Sequence, residues 1–376
     1  MTFCPRCSKV KEGNPLYPSA FLLPAGSPAG SGGRTIDLAN ETRKGEDWMI
    51  RFAVIGTNWI TDKFIEAGYL AGDFQLAAVY SRTAERAKEF AGKYGVDTIF
   101  TDLEEMAKSD AFDAVYIASP NALHCEQAVL MMRHGKHVLC EKPLASNFRE
   151  AQRMIDTARE NRVLFMEALK TTFIPTFLSI KENLPKIGKI RRAFFNFCQY
   201  SSRYDAYKEG ILLNAFNPAF SNGSLMDIGV YCLYPAVFLF GEPEKVLANA
   251  FMLESGVDGE GSVILSYRDM EAVLIHSKIA NSFIPSEIQG EKGTIIIDKI
   301  SSPAKATIVY NDGTREEIGR KQEENTMVYE VKEFVRLIRE GKRESAVNSF
   351  ETSLLTAKIM ENIRRQIGLV FPADQK

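Results

Sequence analysis

Apolar and polar positions alternate in two different ways along this chain, and the change comes near Lys189. Before Lys189, short apolar runs are separated by segments whose apolar residues recur at helical spacing. The predicted strands of this part are 51–55, 74–80, 98–100, 114–118, 137–140 and 163–167, and the predicted helices are 61–71, 83–94, 103–109, 122–134 and 147–161. Regular alternation of strand and helix predicts an α/β domain built on a doubly wound parallel sheet.

After Lys189, longer alternating runs are separated by turn signals such as Asn311-Asp312-Gly313. The predicted strands here are 190–200, 245–253, 261–267, 272–280, 287–289, 294–298 and 306–310, and the predicted helices are 224–240, 327–340 and 350–367. This pattern predicts an α+β domain with a large open, mostly antiparallel sheet. We therefore divide the chain into residues 1–48, a first domain of residues 49–169 and a second domain of residues 170–376, whose last helix can pack back on the first domain.

Residues 1–48 differ from the rest in composition. Cys4-Pro5-Arg6-Cys7 is followed by a stretch rich in Pro, Gly and Ser at 24–33. Two cysteines at this spacing can form half of a zinc site, but no second pair and no nearby His completes it. We interpret this segment as a leader that is disordered or not native to the protein. The four histidines have no metal-site spacing either, so we expect no metal.

Charge and hydropathy narrow the class of protein. The chain has 46 Lys and Arg against 48 Asp and Glu, a net charge of -2, so no global charge draws it to nucleic acid or to an anionic membrane. No uninterrupted apolar run reaches the roughly 18 residues that span a bilayer. The six cysteines are scattered and would be reduced in the cytoplasm. We expect a cytoplasmic protein with a small-molecule substrate, assembled as a homodimer or homotetramer because a large open sheet face needs covering.

The turn after the first strand is a candidate phosphate site. Gly56, Thr57, Asn58, Trp59 and Ile60 join that strand to the first helix, where free backbone amides can bind a pyrophosphate. Only the first glycine of the G-x-G-x-x-G pattern is present. Asn58 stands at the second position, and because Asn tolerates a left-handed backbone better than most residues the turn is still feasible there; Thr61 stands at the third position. The alternative is an ordinary turn between strand and helix.

The end of the second strand bears on cofactor choice. It reads Tyr80-Ser81-Arg82, without the Asp or Glu that binds the ribose 2′-hydroxyl of NAD. A serine hydroxyl and a guanidinium instead suit a 2′-phosphate. The sequence therefore favours NADP(H) over NAD(H), the alternative being that Arg82 is a solvated residue at a helix start.

Three further motifs resemble one family. They are Ser119-Pro120-Asn121-Ala122-Leu123-His124, Glu141-Lys142-Pro143, and Asp227 with Tyr231 in 224–231. Together they resemble the Gfo/Idh/MocA oxidoreductases over residues 49–370. Many members carry His at the position of Tyr231; Tyr there is similar to the branch with dimeric dihydrodiol dehydrogenase, NADP-xylose dehydrogenase and glucose–fructose oxidoreductase. The resemblance implies an N-terminal Rossmann domain and hydride transfer between NAD(P) and a carbinol or carbonyl of a sugar, sugar derivative or cyclic diol.

The resemblance also implies roles for residues. Lys142 would hold the substrate oxygen and lower the pKa of Tyr231, the general acid/base. Asp227 would bind a substrate hydroxyl or orient Lys142. The other implied cofactor contacts are Ser119, Pro120, Asn121, His124 and Glu141, with Glu141 beside the nicotinamide ribose. Lys170, just after the sixth predicted strand, is a candidate for the substrate pocket, as are Asn217 and Arg203 in the polar stretch before Asp227.

For several of these residues, a purely structural role is the alternative to a catalytic or binding role. Tyr231 could be a core residue, Lys142 a solvated turn residue and His124 only a packing or capping residue. Pro143 either forms a cis peptide bond or ends the strand.

Two competing functions also remain open. One is a catalytically silent regulator of the same fold that senses dinucleotide, and the other is a reductase of acyclic or aromatic aldehydes. The presence of both Lys142 and Tyr231 favours the enzyme.

Overall fold

A six-stranded parallel sheet forms the first half of the protein. The computed structural model describes residues 49–375, so the predicted leader with Cys4 and Cys7 lies outside the described residues. The strand order is β3-β2-β1-β4-β5-β6. The strands are β1 Ile50–Ile55, β2 Phe74–Tyr80, β3 Ile99–Phe100, β4 Ala114–Ile117, β5 His137–Glu141 and β6 Phe165–Ala168. The order reverses between β1 and β4, which opens a crevice at the carboxyl ends of the strands, and the predicted doubly wound sheet is confirmed.

Helices cover both faces of this sheet. They are α1 Trp59–Ala71, α2 Ala84–Gly92, α3 Leu103–Lys108, α4 His124–Arg133 and α5 Phe148–Asn161. Several begin at a polar residue whose side chain accepts a hydrogen bond from a backbone amide of the first turn, as Asn147 does from Glu150 at 2.9 Å. The strands are buried because helices pack on both sides, and β4 has no exposed residue.

An eight-stranded sheet dominates the second half, in the order β14-β13-β12-β11-β7-β10-β9-β8. The strands are β7 Ile190–Cys198, β8 Lys245–Met252, β9 Asp258–Ser266, β10 Glu271–Ser277, β11 Ser286–Gly290, β12 Gly293–Ile297, β13 Ala306–Tyr310 and β14 Arg315–Glu317. All neighbours pair antiparallel except β10 and β7, which are parallel. The predicted sheet is confirmed. The short, charged β14 was missed because three residues show no alternation.

One face of this sheet packs on helices and the other is open. The helices of this half are α6 Pro175–Asn183, α7 Tyr204–Lys208 and α8 Val230–Phe240. By length and composition Pro218–Phe240 could cross a membrane, but 67% of its most apolar window is buried inside the structure, which fits a core helix. On the open face Phe251 of β8 is 59% exposed.

The last two helices, α9 Met327–Arg339 and α10 Phe350–Ile367, return to the first half. The ring of Phe334 in α9 lies 5.9 Å from that of Phe52 in β1. Phe350 at the start of α10 lies 6.2 Å from Phe165 in β6. The boundary predicted at residue 169 therefore divides the sheets, while the end of the chain packs against the first of them.

Two helical glycines give a matched test of this packing. A Cβ on Gly68 of α1 would stand 2.6 Å from the Phe74 ring, whereas a Cβ on Gly92 of α2 meets nothing within 4 Å. We expect Gly68→Ala to lower the free energy of unfolding by about 1–3 kcal/mol through overpacking. Gly92→Ala should leave it unchanged or raise it by up to about 1 kcal/mol through helix propensity. Denaturant unfolding of both variants measures this, and equal stabilisation would contradict the close approach of α1 to β2.

Candidate active site

The turn after β1 is tight because Gly56 lies against Ala118, the residue that follows β4. Gly56 has φ of 108° and a Cβ there would stand 2.6 Å from the Ala118 carbonyl oxygen, so no other residue fits without a shift. Asn58 donates from Nδ2 to the same Ala118 oxygen at 3.0 Å. Its Oδ1 accepts from the amides of Ile60 at 3.0 Å and Thr61 at 3.4 Å. Asn58 is thus the N-cap of α1.

This geometry corrects one expectation. Asn58 has φ of -105°, not a left-handed backbone, and α1 begins at Trp59 rather than Thr61. The helix start was predicted two residues late because Asn58 was not recognised as a cap for the unpaired amides of the first helical turn. Asn58 Oδ1 occupies the amides of Ile60 and Thr61, so of the four amides at the start of α1 those of Asn58 and Trp59 are left to an anion. The Trp59 side chain is 66% exposed beside them.

A residue that the sequence analysis missed lies over this turn. Arg86 in α2 donates from Nη2 to the Thr57 carbonyl oxygen at 2.6 Å and from Nε to Thr57 Oγ1 at 3.1 Å. Arg82, predicted at the cofactor, is exposed at the end of β2. The amide of Ser81 donates to Phe100 in β3 at 3.1 Å. The Arg86 guanidinium therefore holds the turn, and nothing in the sequence pattern marked Arg86 for this contact.

The turn after β4 is built around His124. This side chain has no exposed surface, and its ring nitrogens lie 3.1 Å from the Pro143 carbonyl oxygen and 3.0 Å from that of Ser119. Burial lowers its pKa, so the ring is neutral near pH 7. His124 thus joins the two loops, which agrees with the packing interpretation, and its predicted cofactor contact stays a prediction. Asn121 donates to the Ser221 carbonyl oxygen at 2.8 Å and links the two halves.

Lys142 meets the second half of the protein directly. Its side chain is 14% exposed, and Nζ donates to the Asp227 backbone oxygen at 2.7 Å and to Asp227 Oδ1 at 3.1 Å. The same Nζ lies 4.9 Å from the centroid of the Tyr231 ring. The Lys142-Pro143 peptide bond is cis. The structure thus brings together the three residues predicted for catalysis.

A helical irregularity makes this contact possible. The sequence predicted one helix over 224–240, but Leu225–Gly229 is a π-helix that continues into α8. A π-helical turn is wider than an α-helical one and is frequent at functional sites. Here it presents both the carbonyl and the carboxylate of Asp227 to Lys142.

A second lysine, also missed, holds the other oxygen of the same carboxylate. Lys278, directly after β10, donates to Asp227 Oδ2 at 2.7 Å and to the Ala215 carbonyl oxygen at 3.2 Å. Burial alone would raise the pKa of Asp227, but the Lys142 and Lys278 ammoniums hold it well below its usual range. Asp227 is therefore ionised at any pH where the protein works.

The expected pKa of Tyr231 is corrected too. Burial raises the pKa of Tyr231 above its usual value, and Lys142 only partly offsets this. For Lys142, burial lowers the pKa, but Tyr231, Asp227 and Glu141 outweigh it and the net shift is upward. Both groups are therefore protonated at neutral pH. The prediction failed because it counted the neighbouring charge and not the cost of burying a phenolate.

Two further predicted residues lie behind Lys142. Glu141 accepts from the Tyr116 hydroxyl at 2.5 Å, and burial raises its pKa. Lys170 begins a 3₁₀ turn after β6 and acts electrostatically on Glu141. The cofactor contact of Glu141 and the substrate contact of Lys170 stay predictions.

The predicted loop before Asp227 forms an aromatic wall. It contains α7 and short 3₁₀ turns, and the rings of Tyr207 and Phe216 lie 5.2 Å apart. Phe216 also lies 5.0 Å from Lys278 Nζ. Asn217, a weaker substrate candidate, instead caps its own turn by accepting from the Ala219 amide at 2.9 Å. Arg203 directly precedes α7.

Comparison with protein families gives two matches. A model described as the oxidoreductase family, NAD-binding Rossmann fold, matches residues 50–169. A model described as the GFO/IDH/MocA C-terminal domain matches residues 185–296.

Several curated proteins are similar over most of this chain. The scyllo-inositol 2-dehydrogenase (NADP(+)) IolU of Bacillus subtilis is 62% identical over 87% of this chain and 100% of its own length. An uncharacterised oxidoreductase of Escherichia coli, YgjR, is 51% identical over 87% and 99%. A mouse trans-1,2-dihydrobenzene-1,2-diol dehydrogenase is 30% identical over 87% and 99%.

Among solved structures, a 3-ketoreductase from Actinomadura kijaniata in complex with NADP and TDP-benzene has the same fold. Its TM-score is 0.77 at 24% identity, covering 85% of this chain and 98% of the other.

Proposed function

The chain belongs to the GFO/IDH/MocA family of oxidoreductases, and from that premise we propose that it is an NADP(H)-dependent dehydrogenase of a cyclic polyol, with scyllo-inositol as the first candidate. The observation that carries the proposal is the contact of Lys142 with Asp227 and Tyr231 at the carboxyl end of β5. The identity to an NADP-dependent inositol dehydrogenase supports both the substrate class and the cofactor.

The residues around the first turn fit a phosphorylated dinucleotide. Gly56 leaves room for close approach at the end of β1, and the amide of Trp59 begins α1. Arg82 and Arg86 supply positive charge where a 2′-phosphate would lie, and the end of β2 carries no carboxylate that would repel it. The residues present therefore fit NADP better than NAD.

Hydride transfer depends on the cofactor, and proton transfer and charge stabilisation depend on side chains of the protein. The bound nicotinamide supplies the hydride acceptor or donor. The Lys142 ammonium donates to the substrate oxygen and stabilises negative charge on it. Asp227 holds that ammonium in place. Because the Asp227 side chain is 37% exposed, it can also accept a hydrogen bond from a neighbouring hydroxyl of a polyol. Tyr231, protonated at rest, can give its proton to a carbonyl oxygen during reduction.

The protonation state separates the two directions of the reaction. Reduction can start from the resting site, because the acid already carries its proton. Oxidation needs a base, so Tyr231 or Lys142 must first release a proton, and its rate should rise with pH above neutrality.

We also propose that the protein is a cytoplasmic homo-oligomer. Leu247 and Phe251 are 45% and 59% exposed on the open sheet face, which a second copy would cover. The four described cysteines are free, as expected in a reducing compartment.

Removal of the proposed catalytic groups tests the chemistry. We expect Lys142→Ala and Tyr231→Phe each to bind NADPH but to lose at least about a hundredfold in turnover, the scale of a positioned proton-transfer group. Lys181→Ala is the matched control, because that ammonium also lies over an aromatic ring, Phe238, at 4.1 Å. Initial rates are measured with NADP⁺ and a panel of inositols, other cyclic diols and sugars. Wild-type rates in both site variants would overturn the mechanism.

Removal of the two guanidiniums tests the cofactor. Arg82→Ala should weaken NADPH binding about tenfold or more, the loss of one charge-assisted contact, and leave NADH within about twofold. Arg86→Ala should weaken both cofactors, because Arg86 also holds the turn through Thr57. Lys88→Ala removes an exposed charge from the same helix as a control. Cofactor fluorescence titration gives the affinity of the wild type and of each variant for NADPH and NADH; equal losses for both cofactors in Arg82→Ala would remove the preference for NADP.

A further inference from the structure

Lys278 is a buried ammonium that the mechanism so far does not use. It directly follows β10 and is 3% exposed. A lysine is seldom buried to this extent unless it is paired, because removing an ammonium from water is costly. Its partners are the Asp227 carboxylate at 2.7 Å and the Ala215 carbonyl oxygen at 3.2 Å, with the Phe216 ring beside it.

The strand that delivers Lys278 also fixes the π-helical turn. Two residues earlier on the same face of β10, His276 Nδ1 lies 2.9 Å from Ser224 Oγ, at the start of that turn. A Cβ on Gly229 would stand 3.0 Å from the His276 ring, so the turn packs closely on the strand. Asp227 is therefore held from the sheet side by β10 and from the cofactor side by Lys142.

The three side chains in direct contact do not balance in charge. Lys142 and Lys278 each contribute one positive charge and Asp227 one negative charge, and Asp258, which interacts electrostatically with Lys278, contributes a second negative charge where it is ionised. With Lys142 alone, Asp227 would form a neutral ion pair and give its whole carboxylate to the ammonium that the substrate needs. With Lys278 present, one carboxylate oxygen is already engaged.

We propose that Lys278 is a positioning residue that holds one oxygen of the Asp227 carboxylate at β10, so that Lys142 shares only the other oxygen and can turn to the substrate oxygen, and that its positive charge stabilises the developing alkoxide. This inference rests on the proposed dehydrogenase function. Lys278 need not touch the substrate; it acts through Asp227.

Other titratable groups also face this cluster. They are Glu141 from β5, Tyr231 from α8, Asp258 from β9, His276 from β10 and Glu330 from α9. Burial raises the pKa of Asp258 to about 6 and lowers that of His276 to about 4. Lys278 lowers the pKa of Asp258, so its removal shifts that carboxyl as well. The effect of the charge is therefore judged against a variant that keeps a positive charge at position 278.

The charge is tested by a conservative pair of variants. Lys278→Gln keeps a hydrogen-bond donor toward Asp227 and removes the charge, and Lys278→Arg keeps the charge. Loss of a positive neighbour stabilises the protonated forms of Lys142 and Tyr231, so their pKa values rise. For Lys278→Gln we expect the pH profile of kcat/KM for oxidation to move to higher pH by about half a unit or more, with kcat about tenfold lower and NADPH affinity within about twofold.

The Arg variant should keep the wild-type position of the profile. A purely structural role would lower the active fraction in Lys278→Gln without moving the profile, and that result would overturn the proposal. If Lys278→Gln does not fold, Lys278→Arg is tested alone. A shift of its pH profile of kcat/KM, although the positive charge is retained, would also overturn the proposal.

A double-mutant cycle tests the route through Asp227. In the Asp227→Asn background, Lys278→Gln should cost little further, so the two effects on kcat are strongly non-additive. Additive effects would show that Lys278 acts independently and would overturn the proposal. Wild-type protein that oxidises no cyclic polyol with NADP⁺ defeats the proposed function itself, and the inference with it. Wild-type activity with an unmoved Lys278→Gln profile defeats this inference alone.

Discussion

The ion pair between Lys142 and Asp227 joins the two halves of the protein across the cleft. Lys142 lies at the carboxyl end of β5 in the parallel sheet, and Asp227 lies in the π-helical turn that packs on the antiparallel sheet. Without the second half, the largely buried Lys142 would lose its carboxylate partner, whereas Asp227 would keep its ion pair with Lys278. The arrangement of both sheets can be understood as holding this contact at the mouth of the dinucleotide crevice.

Several features serve that contact. The buried His124 joins the loops after β4 and β5, so the segment that carries Lys142 is held from behind. Asn121 donates to the Ser221 carbonyl oxygen and so ties the loop after β4 to the segment that precedes the Asp227 turn. Lys278 takes the second oxygen of the carboxylate. The chemistry therefore depends on charges that are arranged before any substrate arrives, which is how an enzyme avoids reorganisation cost in the reaction.

The sequence predicted those parts of the fold that have a local signature. Apolar spacing identified both sheets, and the motifs at Lys142, Asp227 and Tyr231 identified residues that the structure brings together. It did not predict Lys278, which is 51 residues from Asp227 and reaches it only through the path of β10. Arg86 is likewise 29 residues from Thr57. The predictions for the start of α1, for a regular helix over 224–240 and for the pKa of Tyr231 were wrong for a common reason. Each depends on tertiary surroundings, which decide what the backbone amides bind and how much it costs to bury a charge.

A crystal structure of the ternary complex with NADP⁺ and scyllo-inositol, or its ketone with NADPH, tests the central claim most directly. The account predicts that the reacting oxygen lies within hydrogen-bonding distance of Lys142 Nζ and faces the Tyr231 hydroxyl, while Asp227 keeps its contact with Lys278. A complex in which the substrate is bound while Lys142 donates only to Asp227, and lies away from both the substrate and the nicotinamide, would contradict it.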